Sequence, residues 1–261
     1  MPRQHNIRVF PKKRYGQHFL QDENIARKIL GYLPAEYKTV IEIGAGTGVL
    51  SKYLLQDEKL DPYFFEIDRE SVQYLNANYP GIQDKILNAD FLGYDLTVFP
   101  APFVIIGNFP YNISSQILFK VLDNRELVPI VIGMFQKEVA ERIASSPGTK
   151  KYGIISVLLQ AFYDIEYLFT VNETVFYPPP KVKSAVLRLK RNTRTNLDCD
   201  EALFTRLVKT AFNQRRKTLR NAIKSLTTEG FQSSAETDLL LSKRAEQLSI
   251  EDFCLITRMI S

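Results

Sequence analysis

Apolar and polar positions follow two periods along this chain, and the switches between them outline its elements. Ile25, Ile29, Leu30 and Leu33 recur at i, i+4, i+5 and i+8, which predicts a helix capped by Asp22 and ended by Pro34. The short run Lys38-Thr39-Val40-Ile41-Glu42-Ile43 predicts a buried strand, and Gly44-Ala45-Gly46-Thr47-Gly48 leads from it into a helix over residues 49–55. The pattern then repeats: strand 62–67 before helix 69–78, strand 85–88 ending at Ala89-Asp90, strand 103–106, strand 128–134 and helix 137–144. Strands alternating with helices predict an α/β fold with an open, mostly parallel sheet covered on both faces.

Beyond a polar, flexible loop at residues 145–151 come helix 154–161, strand 163–170, the stiff Tyr177-Pro178-Pro179-Pro180 segment and strand 184–189. Residues 191–196 read as a linker. After Asp198 only helical patterns remain, with Phe204, Leu207, Val208, Ala211 and Phe212 on one face. The expected division is a domain over 1–190, which includes the basic N-terminal arm, and a small all-helical domain over 191–261.

Composition narrows the class without naming a chemistry. A chain of 261 residues, 45% hydrophobic and 24% charged, is ordinary globular material. The two cysteines, Cys199 and Cys254, make no metal spacing and read as small buried thiols in a reducing compartment. The N-terminus lacks an apolar signal region, and no stretch approaches the ~18 apolar residues of a membrane helix, so a soluble cytoplasmic protein is expected. The net charge of +5 is unevenly placed. Residues 1–14 carry Arg3, Arg8, Lys12, Lys13 and Arg14 with no acid, and residues 188–224 hold 11 Lys/Arg against 3 Asp/Glu, a balance of +8. A charge run is usually a solvated face, but two acid-poor blocks around a balanced middle favour a polyanionic partner.

Ligands of an open parallel sheet bind at the carboxyl ends of its strands, and every polar motif falls at such an end. Gly44, Gly46 and Gly48 allow a tight turn and close backbone approach, with helix N–H groups offered to an anion or carboxylate. Val49 occupies the last glycine position of the dinucleotide fingerprint, which disfavours a nicotinamide cofactor. Glu66, 18 positions after Gly48, stands where an acid accepts from both ribose hydroxyls; Asp68 is its rival, with helix capping as its plain role. Asp90 is either a cap or an acceptor for an adenine amino group. Gly107-Asn108-Phe109-Pro110-Tyr111 closes the next strand with an amide, a proline and a ring, a set suited to an adenine-like base and equally to a turn.

Taken together, the glycine loop, the two strand-end acids and this last motif resemble the S-adenosylmethionine-dependent methyltransferases in their N6-adenine variant. The resemblance implies a Rossmann-like domain that presents a methyl group to N6 of an unpaired or flipped base. Asn108 and the Phe109 carbonyl would accept from N6, Pro110 would aim that carbonyl, and Tyr111 would stack on the base. No Cys or His base is needed, because the proton becomes acidic only after transfer.

Five blocks in order resemble the small-subunit (16S) ribosomal RNA adenine dimethyltransferases of the KsgA/RsmA type over nearly the full length. They are Tyr15–Leu20, Glu42–Gly48, Gly107–Asn112, Pro178–Val186 and Ala211–Thr218. This resemblance implies S-adenosyl-L-methionine as cofactor, enclosed by His18 and Leu20 with Gly44, Gly46, Glu66, Asp90 and Asn108. His18 stands where many relatives have Asn, Ala45 where many have Pro, and Phe109 where Leu or Ile is more frequent. The implied reaction gives N6,N6-dimethyladenosine at two adjacent adenosines in a hairpin near the 3′ end of small-subunit rRNA, during ribosome assembly. RNA contacts are expected from Lys12, Lys13, Arg14, Arg215, Arg216, Lys217 and Arg220, with Phe176 as a second wall around the base. The partner is then rRNA in an immature subunit, without DNA, and the chain a monomer. Rival readings are a large-subunit rRNA adenine methyltransferase of the macrolide-resistance kind, against which Ala211–Thr218 argues, and a protein serving chiefly as an assembly factor.

Overall fold

The computed structural model describes residues 9–227 and 235–261; Arg3 and Arg8 of the basic arm lie outside the described residues. The first strand, β1 (Phe19–Leu20), is followed by α1 (Glu23–Leu30), whose start is set by Asp22 accepting from the N–H groups of Asn24 and Ile25. Then come β2 (Thr39–Ile43), α2 (Ser51–Leu54), β3 (Asp61–Phe65), α3 (Arg69–Asn78), β4 (Ile86–Leu87), β5 (Phe103–Asn108), α4 (Ser114–Asp123), β6 (Ile130–Gln136) and α5 (Lys137–Ile143). The remaining elements are α6 (Ile154–Gln160), β7 (Tyr163–Val171), β8 (Phe176–Tyr177), β9 (Ser184–Arg191), α7 (Glu201–Asn213), α8 (Leu219–Ala222), α9 (Ala235–Ser242) and α10 (Ile250–Ile260).

Seven strands form one sheet in the order β4-β3-β2-β5-β6-β9-β7, and β1 pairs with β8 in a separate antiparallel ribbon. β2 to β6 pair with one another in parallel, while β9 runs antiparallel to β6. The α/β class with a mostly parallel sheet thus stands. Every residue of β2 is buried, and so are Phe103, Val104, Ile105 and Ile106 of β5. Such unbroken burial follows from having helices over both faces of a parallel sheet. Each of these apolar side chains contributes about 1.5–3 kcal/mol by leaving water. The chain runs outward from β2 to β4, then crosses back to β5 on the other side of β2. That reversal opens a crevice beyond the carboxyl ends of β2 and β5.

Several elements differ from the pattern-based expectation. The helix expected over 49–55 shortens to the four residues of α2, and β4 keeps two residues after a 3₁₀ turn at Gln83–Lys85. The sequence pattern leaves α4 unpredicted, although Ile117, Leu118 and Val121 form its buried face. The ribbon of β1 and β8 was out of reach of periodicity because each strand has two residues.

Two compact units emerge: one comprises Met1–Ala140 and Glu166–Lys190, the other Glu141–Ile165 and Arg191–Ser261. A single cut at residue 190 therefore misplaces residues 141–165, which belong with the C-terminal helices. In that second unit α7 buries Phe204, Leu207, Val208 and Ala211, and Phe253 of α10 meets Phe204 and Phe212 ring to ring. The expected linker and flexible loop are both tied down. Arg191 donates to the carbonyls of Phe162 and Arg194, and Arg194 pairs with Glu251 at 2.8 Å. In the loop, Gly148 donates to the Glu246 carbonyl at 2.7 Å and Lys151 pairs with Glu141 at 2.5 Å. Polar composition alone reads as flexibility because it does not reveal where such groups find partners. Among the described residues no helix is long and apolar enough to cross a membrane.

Candidate active site

A cleft of about 190 Å³ opens at the sheet's reversal point, lined by the ends of β2, β3 and β5, the turn after β4, and residues 14–19. The glycine loop forms one wall with Gly44, Gly46 and Gly48 at φ of +73°, +57° and +78°. A side chain at Gly46 would stand 3.0 Å from the Phe19 ring, so the close approach of backbone to ring requires glycine there. Four of the five N–H groups of Gly44–Gly48 are already taken inside the protein. Gly44 and Ala45 donate to the Phe65 carbonyl, Gly46 to Glu66 and Gly48 to Ala45. The loop curls onto the end of β3 and leads into α2.

The structure sorts the two acids after β3. Glu66 is 4% exposed, and its two oxygens accept from the N–H groups of Gly46 and Asp68, each at 2.8 Å. Burial pushes its carboxyl above the ordinary glutamate value against the pull of those N–H groups. Each carboxylate oxygen has a second lone pair, so Glu66 keeps capacity toward the cleft. Asp68 instead caps α3 through Glu70 N–H and pairs with Lys12 at 2.5 Å. Asp90 caps the turn at Phe91–Gly93 through Leu92 N–H and stays exposed at the cleft, so capping leaves its second oxygen available.

At the end of β5 the Asn108 amide donates from Nδ2 to the His18 carbonyl at 2.7 Å, which leaves Oδ1 as the end able to accept. The Phe109 ring is 1% exposed and meets Phe135 edge-on, while its N–H donates to the Met134 carbonyl at 3.3 Å. Tyr111 bonds through its hydroxyl to the buried Ser184 and stacks on the His18 ring with centroids 5.5 Å apart. His18 Nδ1 in turn bonds the Pro178 carbonyl at 2.7 Å. Residues from three sequence blocks, 15–20, 107–112 and 178–186, are therefore linked around one amide.

Some expected site residues fall elsewhere. Leu20, 3% exposed, lies outside the main cleft and lines a smaller cavity of about 30 Å³ beneath the glycine loop. Phe176 pairs with Leu20 and is 4% exposed in the hydrophobic core, so it is no wall of the cleft; its alternation partner Tyr177 carries the exposed ring. Of the cations, Arg14 lines the cleft and stacks over Tyr15, and Lys13 is exposed. Lys12 is engaged by Asp68 and Glu70, Arg215 donates to the Lys150 carbonyl at 2.7 Å, and Arg220 pairs with Asp238. Arg216 and Lys217 are exposed in the second unit. Sequence reasoning missed Gln17, Phe19 and Ile67 as cleft residues. Ile67 is 46% exposed between two buried acids, and an apolar residue at that strand end was the available signal.

Beneath the loop, Glu42 is buried in β2 with Ser51 Oγ donating to it at 2.7 Å. Burial, with repulsion from Glu66, pushes its pKa to about 8 from an ordinary 4.5. The folded chain thus holds a proton that the unfolded chain loses. This stabilisation is complete below the unfolded value and is lost as pH rises to about 8. Glu42→Gln should flatten that part of the Tm–pH curve, and a slope identical to wild type would show that Glu42 is ionised in the fold.

Residues 10–261 match the family model for ribosomal RNA adenine dimethylase. The ribosomal RNA small subunit methyltransferase A of Cytophaga hutchinsonii is 55% identical over 257 residues, covering 97% of this chain and 98% of the relative. That of Flavobacterium johnsoniae is 54% identical over 256 residues, covering 97% of both. Among solved structures, a dimethyladenosine transferase from Plasmodium falciparum superposes with a TM-score of 0.75 at 27% identity, covering 90% of this chain and 94% of that one. The 23S rRNA methyltransferase ErmE shares the fold at a TM-score of 0.65 and 24% identity, covering 92% and 99%. A match spanning both the cleft and the helical unit, with relatives similar end to end, places the whole chain: it belongs to the ribosomal RNA adenine dimethylase family.

Proposed function

We propose that this chain transfers methyl groups from S-adenosyl-L-methionine to N6 of two adjacent adenosines in a hairpin near the 3′ end of small-subunit (16S) rRNA. The products are N6,N6-dimethyladenosines, made in the cytoplasm on an immature subunit during ribosome assembly. Relatives named as small-subunit methyltransferases at 54–55% identity support the substrate. The observation that carries the chemistry is the Asn108 amide, tied at its amino end to the His18 carbonyl and free at Oδ1 to accept.

The residues around the cleft fit the cofactor. Glu66 has lone pairs for a ribose diol, Asp90 has an oxygen for an adenine amino group, and Ile67 offers an apolar surface for the ring. When bound, the cofactor supplies an electrophilic methyl group on a sulfonium. The N6 lone pair of adenine is delocalised into the ring and is a weak nucleophile. Acceptance of its hydrogens by Asn108 Oδ1 and the Phe109 carbonyl favours the pyramidal nitrogen that attacks, and stabilises the positive charge that develops. Tyr111, fixed by Ser184 and His18, offers ring surface to the extruded base. In the second round N6 carries one hydrogen, so one of the two acceptors suffices. The proton leaves after transfer, when nitrogen is cationic, without a dedicated base. Lys13 and Arg14 beside the cleft, and Arg216 and Lys217 in the second unit, are the exposed cations for phosphates. Lys12, Arg215 and Arg220 act through the ion pairs and carbonyl contacts that hold these segments.

The test is methylation of immature small subunits with labelled cofactor, followed by mapping. Label should appear as N6,N6-dimethyladenosine at two adjacent positions of the small-subunit RNA. Label confined to large-subunit RNA would overturn the proposal in favour of the macrolide-resistance reaction.

A further inference from the structure

We infer that Asp68 is a positioning residue for methyl transfer: it latches residues 12–18 across the cleft and so fixes the His18 carbonyl that orients the Asn108 amide. The inference rests on the proposed reaction at Asn108.

Asp68 is 1% exposed, yet it holds more partners than a helix cap requires. One oxygen caps α3 through Glu70 N–H at 3.2 Å and meets Lys12 Nζ at 2.5 Å; the other accepts from Gln17 Nε2 at 3.3 Å. Gln17 closes the loop by accepting from the Lys12 N–H at 2.8 Å. Burial disfavours the Asp68 charge, but the Lys12 ammonium and the Gln17 amide outweigh it and hold the carboxyl below its ordinary range. A buried carboxylate persists only when paired in this way. An asparagine would cap α3 equally well, so the charge itself serves the segment that carries Lys12.

That segment leads directly to the acceptor. Gln17 adjoins His18, whose carbonyl receives the Asn108 amide at 2.7 Å and whose ring is held by the Pro178 carbonyl. Gly16 lies so close to Asn112 that an added Cβ would stand 2.8 Å from Asn112 Oδ1. Asp68 also serves the cofactor half, since its own N–H donates to Glu66 Oε1. One residue thereby fixes the ribose acid with its backbone and the acceptor amide with its side chain. With the latch open, the His18 carbonyl drifts and the Asn108 amide loses the contact that sets which end faces the cleft.

Asp68→Asn separates the roles, because it keeps the cap and removes the charge. The expected result is a kcat lower by about tenfold, the scale of one charge-assisted hydrogen bond, with KM for RNA and the thermal midpoint little changed. Hydrogen exchange at the backbone amides of residues 14–19 should rise, while exchange in α3 stays as in wild type. In an Asn108→Ala background the same substitution should leave the residual rate unchanged, because the group it positions is gone. A wild-type kcat in Asp68→Asn, unaltered exchange at 14–19, or full additivity with Asn108→Ala would each overturn the inference. Wild-type protein that leaves small-subunit RNA unmethylated would overturn the proposed reaction, while the exchange measurement still judges the latch.

Discussion

Asn108→Ala should lower kcat for methyl transfer by about 10²-fold or more, while binding of RNA survives. The scale is that of removing one preorganised polar group from a site where charge develops. Asn108 contributes a single side-chain oxygen to N6, and its amino end serves to hold that oxygen in place against the His18 carbonyl. Alanine removes both. The remaining acceptor, the Phe109 carbonyl, cannot by itself bias N6 toward the attacking geometry in the first round, when two hydrogens are present. Because Asn108 closes β5 and is half-buried, the loss should register in rate more than in folding. Single-turnover methylation at saturating cofactor, alongside equilibrium binding of RNA, checks this; a variant with wild-type kcat would remove Asn108 from the mechanism.

The second large effect is expected from Gly133, a residue that touches no ligand. It pairs in register with Gly107 across β5 and β6, and the two glycines make the slot that holds the Phe109 ring. A Cβ at Gly133 would stand 2.4 Å from Phe109 Cε2 and 2.8 Å from the Phe135 ring. Both rings are fully buried, so neither can swing into solvent. Gly133→Ala should cost about 1–3 kcal/mol of stability through overpacking. The displaced Phe109 also carries its carbonyl with it, and misplacing a reacting partner by ~1 Å costs up to about 10²-fold in rate. Phe109→Leu in the same chain removes the closer of the two clashes and should restore part of both, the contact with Phe135 remaining. Thermal unfolding and kcat of the single and double variants decide the point. A Gly133→Ala protein as stable and active as wild type would show that the slot has room to spare.

Much of the site was legible in the sequence because its chemistry is local. Glu42–Gly48 and Gly107–Asn112 each carry their polar groups within a few residues of a strand end, and strand ends follow from apolar runs and glycines. The cap that Asp68 makes was legible too, but the partners of Lys12 and Arg215 were not, for the opposite reason. A lysine 56 positions from an aspartate looks like a free cation, and only the fold brings the two to 2.5 Å. Phe176 and Tyr177 show the same limit in miniature: with a two-residue strand there is no alternation long enough to tell which ring faces the core.

The sequence by itself determined the α/β class, the order of strands and helices, the placement of glycines and acids at strand ends, and the family. These follow from period, spacing and turn chemistry, which act over a few neighbouring residues. Only the tertiary structure decided that Gly44, Ala45 and Gly46 spend their N–H groups on Phe65 and Glu66, that Glu66 rather than Asp68 faces the cleft, and that residues 141–165 belong with the C-terminal helices. It also decided that the acceptor amide takes its orientation from a carbonyl 90 residues earlier in the chain. Each of these is a competition among buried polar groups for a limited set of partners, and its outcome depends on which distant segments the packed sheet brings within hydrogen-bonding distance.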